Sequence, residues 1–171
     1  FPYENRIWDQ AETLDRAQLQ ALQAHRLREV VGRTAGVPFY KEAYARAGIT
    51  PDSIRSADDV RRLPLTTKED LRQHYPLGFM AVERRKIARI HGSSGTTGKP
   101  TFVAYTKADL VMWSNLCARF LVAGGLREDH LVHIAFGYGL FTGGFGLHYG
   151  VERVGAGIVP AAGGNTPRQI M

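Results

Sequence analysis

Apolar positions in the first part of the chain recur at the spacing of amphipathic helices. Between Trp8 and Val31, leucines and valines stand three to five residues apart among Gln, Arg and Glu, and glycines follow. This pattern predicts a helix over residues 8–31. A second helix is predicted to follow Pro38 and to end at Gly48, because proline suits a first turn and glycine a helix end.

Two further short helices are indicated by capping residues. Ser56 stands before Asp58 and Asp59, and the run 66–70, Thr-Thr-Lys-Glu-Asp, supplies both a cap and first-turn acids. We therefore expect residues 1–75 to form a helical amino-terminal subdomain.

After Pro76 the pattern changes to short β-prone runs separated by glycine. Helices are predicted over 107–124 and 145–154, and a first helical turn over 167–171 with Thr166 as its cap. The predicted strands are Ile87–His91, Thr101–Tyr105, Leu131–Phe136 and Gly157–Pro160. Strands that alternate with helices predict an α/β fold for residues 76–171.

Charge and glycine are concentrated in that second part. Residues 1–75 hold 12 Lys and Arg against 11 Asp and Glu, so +5 of the net +6 falls on residues 76–171, together with 16 of the 19 glycines. Such a region suits an anionic ligand close to the backbone. Nucleic acid is not expected as a partner, because the basic residues are scattered and no nucleic-acid-binding motif is present.

The single cysteine and the histidines argue against a disulfide and against a zinc site. Cys117 has no partner for a disulfide, and the six histidines show no zinc-site spacing with it. It lies at a helical core position, so we expect a packing residue and no metal site. With no secretory leader and no apolar run near the ~20 residues of a membrane helix, a cytoplasmic location is expected, without membrane contact. Because the chain starts without Met and stops within a helical turn, we expect a piece of a larger protein.

The strongest chemical signal is the run 91–101, His-Gly-Ser-Ser-Gly-Thr-Thr-Gly-Lys-Pro-Thr. Its three glycines free the backbone amides to converge, its hydroxyls add donors, and Lys99 adds a positive charge, as a polyphosphate requires. The run does not match the P-loop pattern of kinases and GTPases. Ser93 stands where that pattern has its first glycine, and Pro100 stands where it has the metal-binding Ser or Thr. We expect the loop to join two strands. A hairpin turn without a ligand is the alternative.

The segment 93–101 is similar to the phosphate loop of adenylate-forming enzymes, which include acyl-CoA synthetases and luciferases. Arg89-Ile90-His91 before the loop resembles the phenylacetate-CoA ligase branch of this superfamily, as do Tyr105-Thr106, Asp109 and Trp113 after it and the run 63–72. The resemblance spans most of the chain, although enzymes of the family are more than twice as long. It implies the first part of the adenylate-forming amino-terminal domain as the α/β portion.

The resemblance also implies the nucleotide contacts. These would be made by the loop residues Ser93, Ser94, Gly95, Thr96, Thr97, Gly98 and Lys99, with Lys99 as the catalytic residue. Gly163-Gly164 would border the nucleotide.

A second segment, 136–146, alternates aromatic rings with glycines, which suits a flat wall for a planar apolar group. By the resemblance, Tyr138 and Phe141 would contact an aryl acid, and Gly143 and Gly144 would leave it room. The alternative is a packing turn in which glycines let a helix approach the sheet. His148 and Tyr149 are expected to be packing residues.

The resemblance implies the ATP-dependent activation of an aromatic carboxylic acid, with phenylacetate as the favoured substrate, as in phenylacetate catabolism. The acid would be converted to an acyl-adenylate and then to a coenzyme A thioester. ATP, Mg²⁺ and coenzyme A are the implied cofactors and co-substrates. The family's magnesium-holding acid, ribose-binding aspartate and carboxy-terminal domain with its catalytic lysine are absent from these residues, so we expect the fragment alone to be inactive. Alternatives are a ligase for another aryl acid such as benzoate, a non-catalytic nucleotide-binding module, and a homodimerisation piece built on the helical first part.

Overall fold

The computed structural model describes residues 6–93, 100–164 and 166–170. The chain divides into two compact units. One contains residues 13–85, and the other combines the residues before 13 with those from Lys86 onward. The predicted domain boundary at residue 75 stays a prediction.

The unit of residues 13–85 is helical. Its α-helices are α1 (Arg16–Thr34), α2 (Pro38–Ala47) and α3 (Lys68–Gln73), and 3-10 turns span Pro51–Ser53 and Ala57–Arg62. A further 3-10 turn, Arg84–Lys86, crosses the division between the two units. The expected start of the first helix at Trp8 is wrong, because Asp15 caps α1. The Asp15 carboxylate accepts from the Gln18 backbone N at 2.8 Å, and the Gln18 side chain accepts from the Asp15 N.

The core of this unit joins α1 to the residues after α2. Val31 and Ile54 are fully buried, and Tyr44 and Ile49 complete the cluster. Helix α2 ends as predicted at Gly48, whose positive φ of 63° is one that glycine adopts without strain.

The other unit contains the strands. In chain order it has β1 (Ile87–Gly92), β2 (Phe102–Thr106), α4 (Lys107–Ala123), β3 (Leu131–His133), α5 (Gly143–Val154), β4 (Gly157–Val159) and α6 (Thr166–Ile170), preceded by a 3-10 turn at Gln10–Thr13. β1 and β2 pair antiparallel, whereas β3 and β4 pair parallel. The α/β prediction is confirmed.

The third strand differs from its prediction. β3 ends at His133 and not at Phe136, and Leu131 is 71% exposed, so the expected buried run is wrong. Within the described residues β3 pairs only with β4, which leaves its side chains partly open, and Ile134 is the buried residue of the run.

Helices α4 and α5 form the core of this unit. Their buried side chains are Ala118, Val122, Val151 and Val154. The helices approach closely at Gly150, where an added Cβ would lie 2.6 Å from the Cβ of Cys117. Cys117 is buried, which confirms its packing role, and burial raises the pKa of its thiol.

The segment before α1 packs on α4. Trp8 donates from its indole N to the Asn115 side chain at 2.9 Å and covers the core cluster. Glu12 pairs with Arg119 at 2.9 Å, and Arg6 pairs with Glu128. These contacts explain why residues 6–12 leave the pattern of the first helix. Among the described residues, no helix combines the length and hydropathy that a membrane crossing requires.

Candidate active site

The predicted phosphate loop lies between β1 and β2. Gly92 pairs with Phe102 across the hairpin, the Ser93 N donates to the Thr101 carbonyl at 2.9 Å, and the Thr101 N donates to the Ser93 hydroxyl at 3.0 Å. The predicted strand-to-strand connection is thereby confirmed. The other predicted nucleotide contacts, Ser94, Gly95, Thr96, Thr97, Gly98 and Lys99, lie outside the described residues.

The aromatic and glycine segment reaches the base of this loop. The Leu140 carbonyl accepts from the Gly92 N at 3.0 Å and from the His91 ring Nδ1 at 2.9 Å. A Cβ on Gly92 would lie 2.9 Å from the Leu140 side chain. The two segments that the sequence singled out, separated by more than forty residues, therefore meet at one carbonyl.

His91 occupies an aromatic enclosure beneath the loop. Its side chain is 3% exposed, and its ring meets those of Tyr105, Trp113 and Phe145 at centroid distances of 5.7, 5.4 and 5.9 Å. Its Nε2 atom is buried and has no hydrogen-bond partner among the residues that the structure describes. Sequence reasoning gave His91 no role of its own. The available signal was its place on the same strand face as Arg89.

Tyr138 is tied to helix α5. Its hydroxyl lies 3.1 Å from the His148 Nδ1, and the His148 Nε2 lies 3.3 Å from the Glu152 carboxylate. Burial, and then the negative charge of Glu152, raise the pKa of the Tyr138 phenol. The phenol therefore keeps its proton at neutral pH. Sequence reasoning missed Glu152, although its spacing of four from His148 on a predicted helix was a usable signal.

Phe141 is half exposed. Its contact with an acid, like that of Tyr138, stays a prediction.

Gly143 and Gly144 sit where α5 begins against the preceding turn. A Cβ on Gly143 would overlap the Phe136 ring, and one on Gly144 would lie 2.6 Å from the Gly137 carbonyl oxygen. In this structure the protein itself fills the space beside both glycines. This packing role is the alternative that the sequence left open, and their contact with an acid stays a prediction.

Arg89 holds α5 to β1. Its guanidinium carbon lies 5.0 Å from the Phe145 ring centroid and 4.8 Å from that of Tyr149. Cation–π contacts of this kind contribute about 0.5–1 kcal/mol each at exposed sites and more when desolvated. They place Tyr149 in the packing role expected of it. Gly163, expected to border the nucleotide, lies near Gly137, because an added Cβ would be 3.7 Å from the Gly137 N.

Known proteins resemble this chain in both sequence and fold. The chain is 51% identical to a phenylacetate-coenzyme A ligase of Thermus thermophilus over 161 residues, which are 94% of this chain and 36% of that protein. It is 48% identical to a phenylacetate-coenzyme A ligase of Escherichia coli K12 over 162 residues, 94% of this chain and 37% of that protein. The chain is homologous to part of the phenylacetate-CoA ligases.

The fold agrees with this relationship. A crystal structure of 2-hydroxyisobutyryl-CoA ligase in complex with 2-HIB-AMP and CoA superimposes with a TM-score of 0.82 at 32% identity, over 91% of this chain and 34% of that one. The match lies in the amino-terminal part of such adenylate-forming ligases. No family model matches the chain. The chain spans about a third of the length of the curated ligases it resembles.

A metal-binding cluster is not found in the part of the ligase fold that the structure describes. None of its groups of His, Cys, Asp and Glu side chains brings three such residues together.

Proposed function

We propose that this chain supplies the phosphate loop and the acid-binding segment of an AMP-forming ligase that joins phenylacetate to coenzyme A. One observation carries the proposal: in a chain half identical to phenylacetate-CoA ligases, the base of the loop and the aromatic segment meet at the Leu140 carbonyl. A loop that binds phosphates and a segment that binds an acid must be adjacent, because the acid attacks a phosphate.

The proposed reaction has two displacement steps. A carboxylate oxygen of the acid attacks the α-phosphorus of ATP, forming the acyl-adenylate while pyrophosphate leaves. The coenzyme A thiolate then attacks the acyl carbonyl carbon, forming the thioester while AMP leaves. Neither step needs a nucleophilic side chain, so catalysis is positioning and charge stabilisation.

In this proposal, different residues of the chain bind the phosphates and the aryl group. Loop amides, hydroxyls and Lys99 would hold the negative phosphates, whereas the rings of Tyr138 and Phe141 would hold the aryl group. Magnesium is proposed only as the ion that accompanies the nucleotide phosphates, and no step is assigned to it. The proposed partners are these small molecules, with neither nucleic acid nor membrane, and a cytoplasmic location is part of the proposal.

ATP–pyrophosphate exchange tests the proposal in the full-length protein that contains these residues. With phenylacetate present, Lys99→Ala should lower the exchange rate by about 100-fold or more through the loss of a charge-stabilising group. Gly95→Val should lower it similarly, because a β-branched side chain restricts the backbone whose amides are proposed to hold the phosphates. Lys41→Ala is the matched control, because Lys41 is an exposed lysine on α2. Full exchange in both loop variants would remove the loop from the mechanism.

The same assay separates the alternatives. Exchange that is faster with benzoate than with phenylacetate would reassign the acid. Binding of ATP without exchange for any acid in a panel would indicate a non-catalytic nucleotide-binding module. Sedimentation of the protein with and without residues 1–75 would reveal whether the helical part forms a homodimer.

A further inference from the structure

We propose that His91 is a positioning residue that couples nucleotide binding to acid binding, through its hydrogen bond to the Leu140 carbonyl. This inference rests on the proposed function. It assigns His91 a role that acts through Leu140.

The bond has a defined direction. A carbonyl oxygen only accepts, so the His91 Nδ1 must carry the proton that it donates over 2.9 Å. The Gly92 N donates to the same oxygen at 3.0 Å. Two consecutive residues at the end of β1 thus use both acceptor positions of one carbonyl on the other segment.

The Leu140 carbonyl lies in the proposed acid-binding segment, so the bond links that segment to the base of the phosphate loop. Leu140 stands between Tyr138 and Phe141, the two proposed acid contacts, while His91 and Gly92 stand directly before the loop at Ser93. A shift of the loop base on nucleotide binding therefore moves the backbone that carries both rings. The reverse holds equally, because coupling between two sites is reciprocal.

The enclosure of the ring makes the connection stiff. Tyr105 comes from β2, Trp113 from α4 and Phe145 from α5, so three elements surround the imidazole, which is 3% exposed. In such a packed site the ring cannot rotate to follow a moving partner without displacing its neighbours. A displacement of the carbonyl must then be transmitted to β1.

A purely structural role is the rival account, since a buried histidine in an aromatic enclosure also stabilises the fold. The two accounts differ in what they change. A structural role lowers thermal stability and leaves the mutual effect of the two ligands intact. Coupling changes that mutual effect.

The experiment measures the interaction factor in the full-length protein by calorimetry. This factor is the Kd of phenylacetate alone divided by its Kd at saturating α,β-methylene-ATP. Variants without the donor are His91→Leu and His91→Phe, of which the second keeps an aromatic ring in the enclosure. His91→Asn is the matched control, because its side-chain amide can donate from near the Nδ1 position. If His91→Leu does not fold, His91→Phe carries the comparison.

We expect an interaction factor well above one in the wild type. The donor-less variants should lower it by about threefold to tenfold, the range for one net hydrogen bond, while His91→Asn keeps most of it. An unchanged factor in a folded donor-less variant, a wild-type factor of one, or equal losses in His91→Phe and His91→Asn would overturn the inference. A wild type that binds no nucleotide and shows no exchange would instead overturn the proposed function.

Discussion

Gly144→Ala distinguishes the two roles that a glycine at the start of α5 can have. If the glycine leaves room for an acid, the methyl group should weaken acid binding and leave stability intact or raised, because alanine favours helices. If it lets α5 lie against the turn, the methyl group should destabilise the protein. The structure favours the second outcome, because the three atoms nearest to the added Cβ all belong to the backbone, which cannot move aside as a flexible side chain can.

The magnitude follows from the size of the overlap. The Cβ would lie 2.6 Å from the Gly137 carbonyl oxygen, about 0.8 Å short of the 3.4 Å at which ordinary contact begins, and 3.1 Å from the Gly137 carbonyl carbon. Overpacking of this kind costs about 1–3 kcal/mol, and the alanine preference for helices returns less than about 1 kcal/mol. We therefore expect a net loss of about 1–2 kcal/mol in the free energy of unfolding.

Thermal unfolding followed by circular dichroism measures this loss. If the part of the full-length protein that contains these residues unfolds as a cooperative unit of about 150–250 residues, this loss corresponds to a Tm lower by about 2–8 °C. Gly139→Ala is the matched control, since nothing lies within 4 Å of its added Cβ, and it should leave Tm nearly unchanged. A Gly144→Ala protein with wild-type Tm and a raised KM for phenylacetate would refute the packing argument and restore the room-for-acid role.

Three further predictions concern titration and reactivity. Glu152→Gln should lower the pKa of Tyr138 toward its ordinary value while burial still keeps it raised, as followed by NMR of ¹³Cζ-labelled tyrosine with Tyr138→Phe for assignment; an unchanged pKa would show that the Glu152 charge does not reach the phenol. Backbone N–H groups of Ser56 and Arg55, and then Arg62, hold the pKa of Asp59 well below its ordinary value, so its contribution to stability is present above that value and is lost as pH falls through the folded-state pKa. Asp59→Asn should accordingly lower Tm at pH 7, and its deficit against wild type should shrink below about pH 4; a deficit that stays constant would contradict the linkage. Cys117 should react with a thiol-specific disulfide reagent only after unfolding, because burial raises its pKa and shields it, and full labelling of the native protein within minutes would contradict this assignment.

Local signals explain which parts of the fold could be predicted from the sequence. The helix that follows Thr67 and the one that ends at Gly48 have their capping residues adjacent in the chain, and both predictions are confirmed. The start of α1 was predicted wrongly because Trp8 satisfies its indole through Asn115, 107 residues away. That contact is not visible in the local pattern, but the capping pair of Asp15 and Gln18 was a usable signal for the start of the helix.

The candidate site shows the same limit. Its loop was evident because glycines, hydroxyls and a lysine stand together in the sequence. The hydrogen bond from His91 to Leu140 was not evident from the sequence, because its acceptor is a backbone carbonyl, which every residue possesses. The packing role of Gly144 was equally hidden, since a glycine beside a ligand and one beside a carbonyl look identical in sequence.

Because residues 6–12 pack on α4, this first segment cannot form its final contacts until a much later part of the chain has been synthesised. Arg6 pairs with Glu128, which is 122 positions later, so the second partner is synthesised about 6–24 s after the first at common translation rates. In that interval residues 13–85 are already synthesised, while Trp8 still lacks its partner Asn115 on α4 until that helix is made.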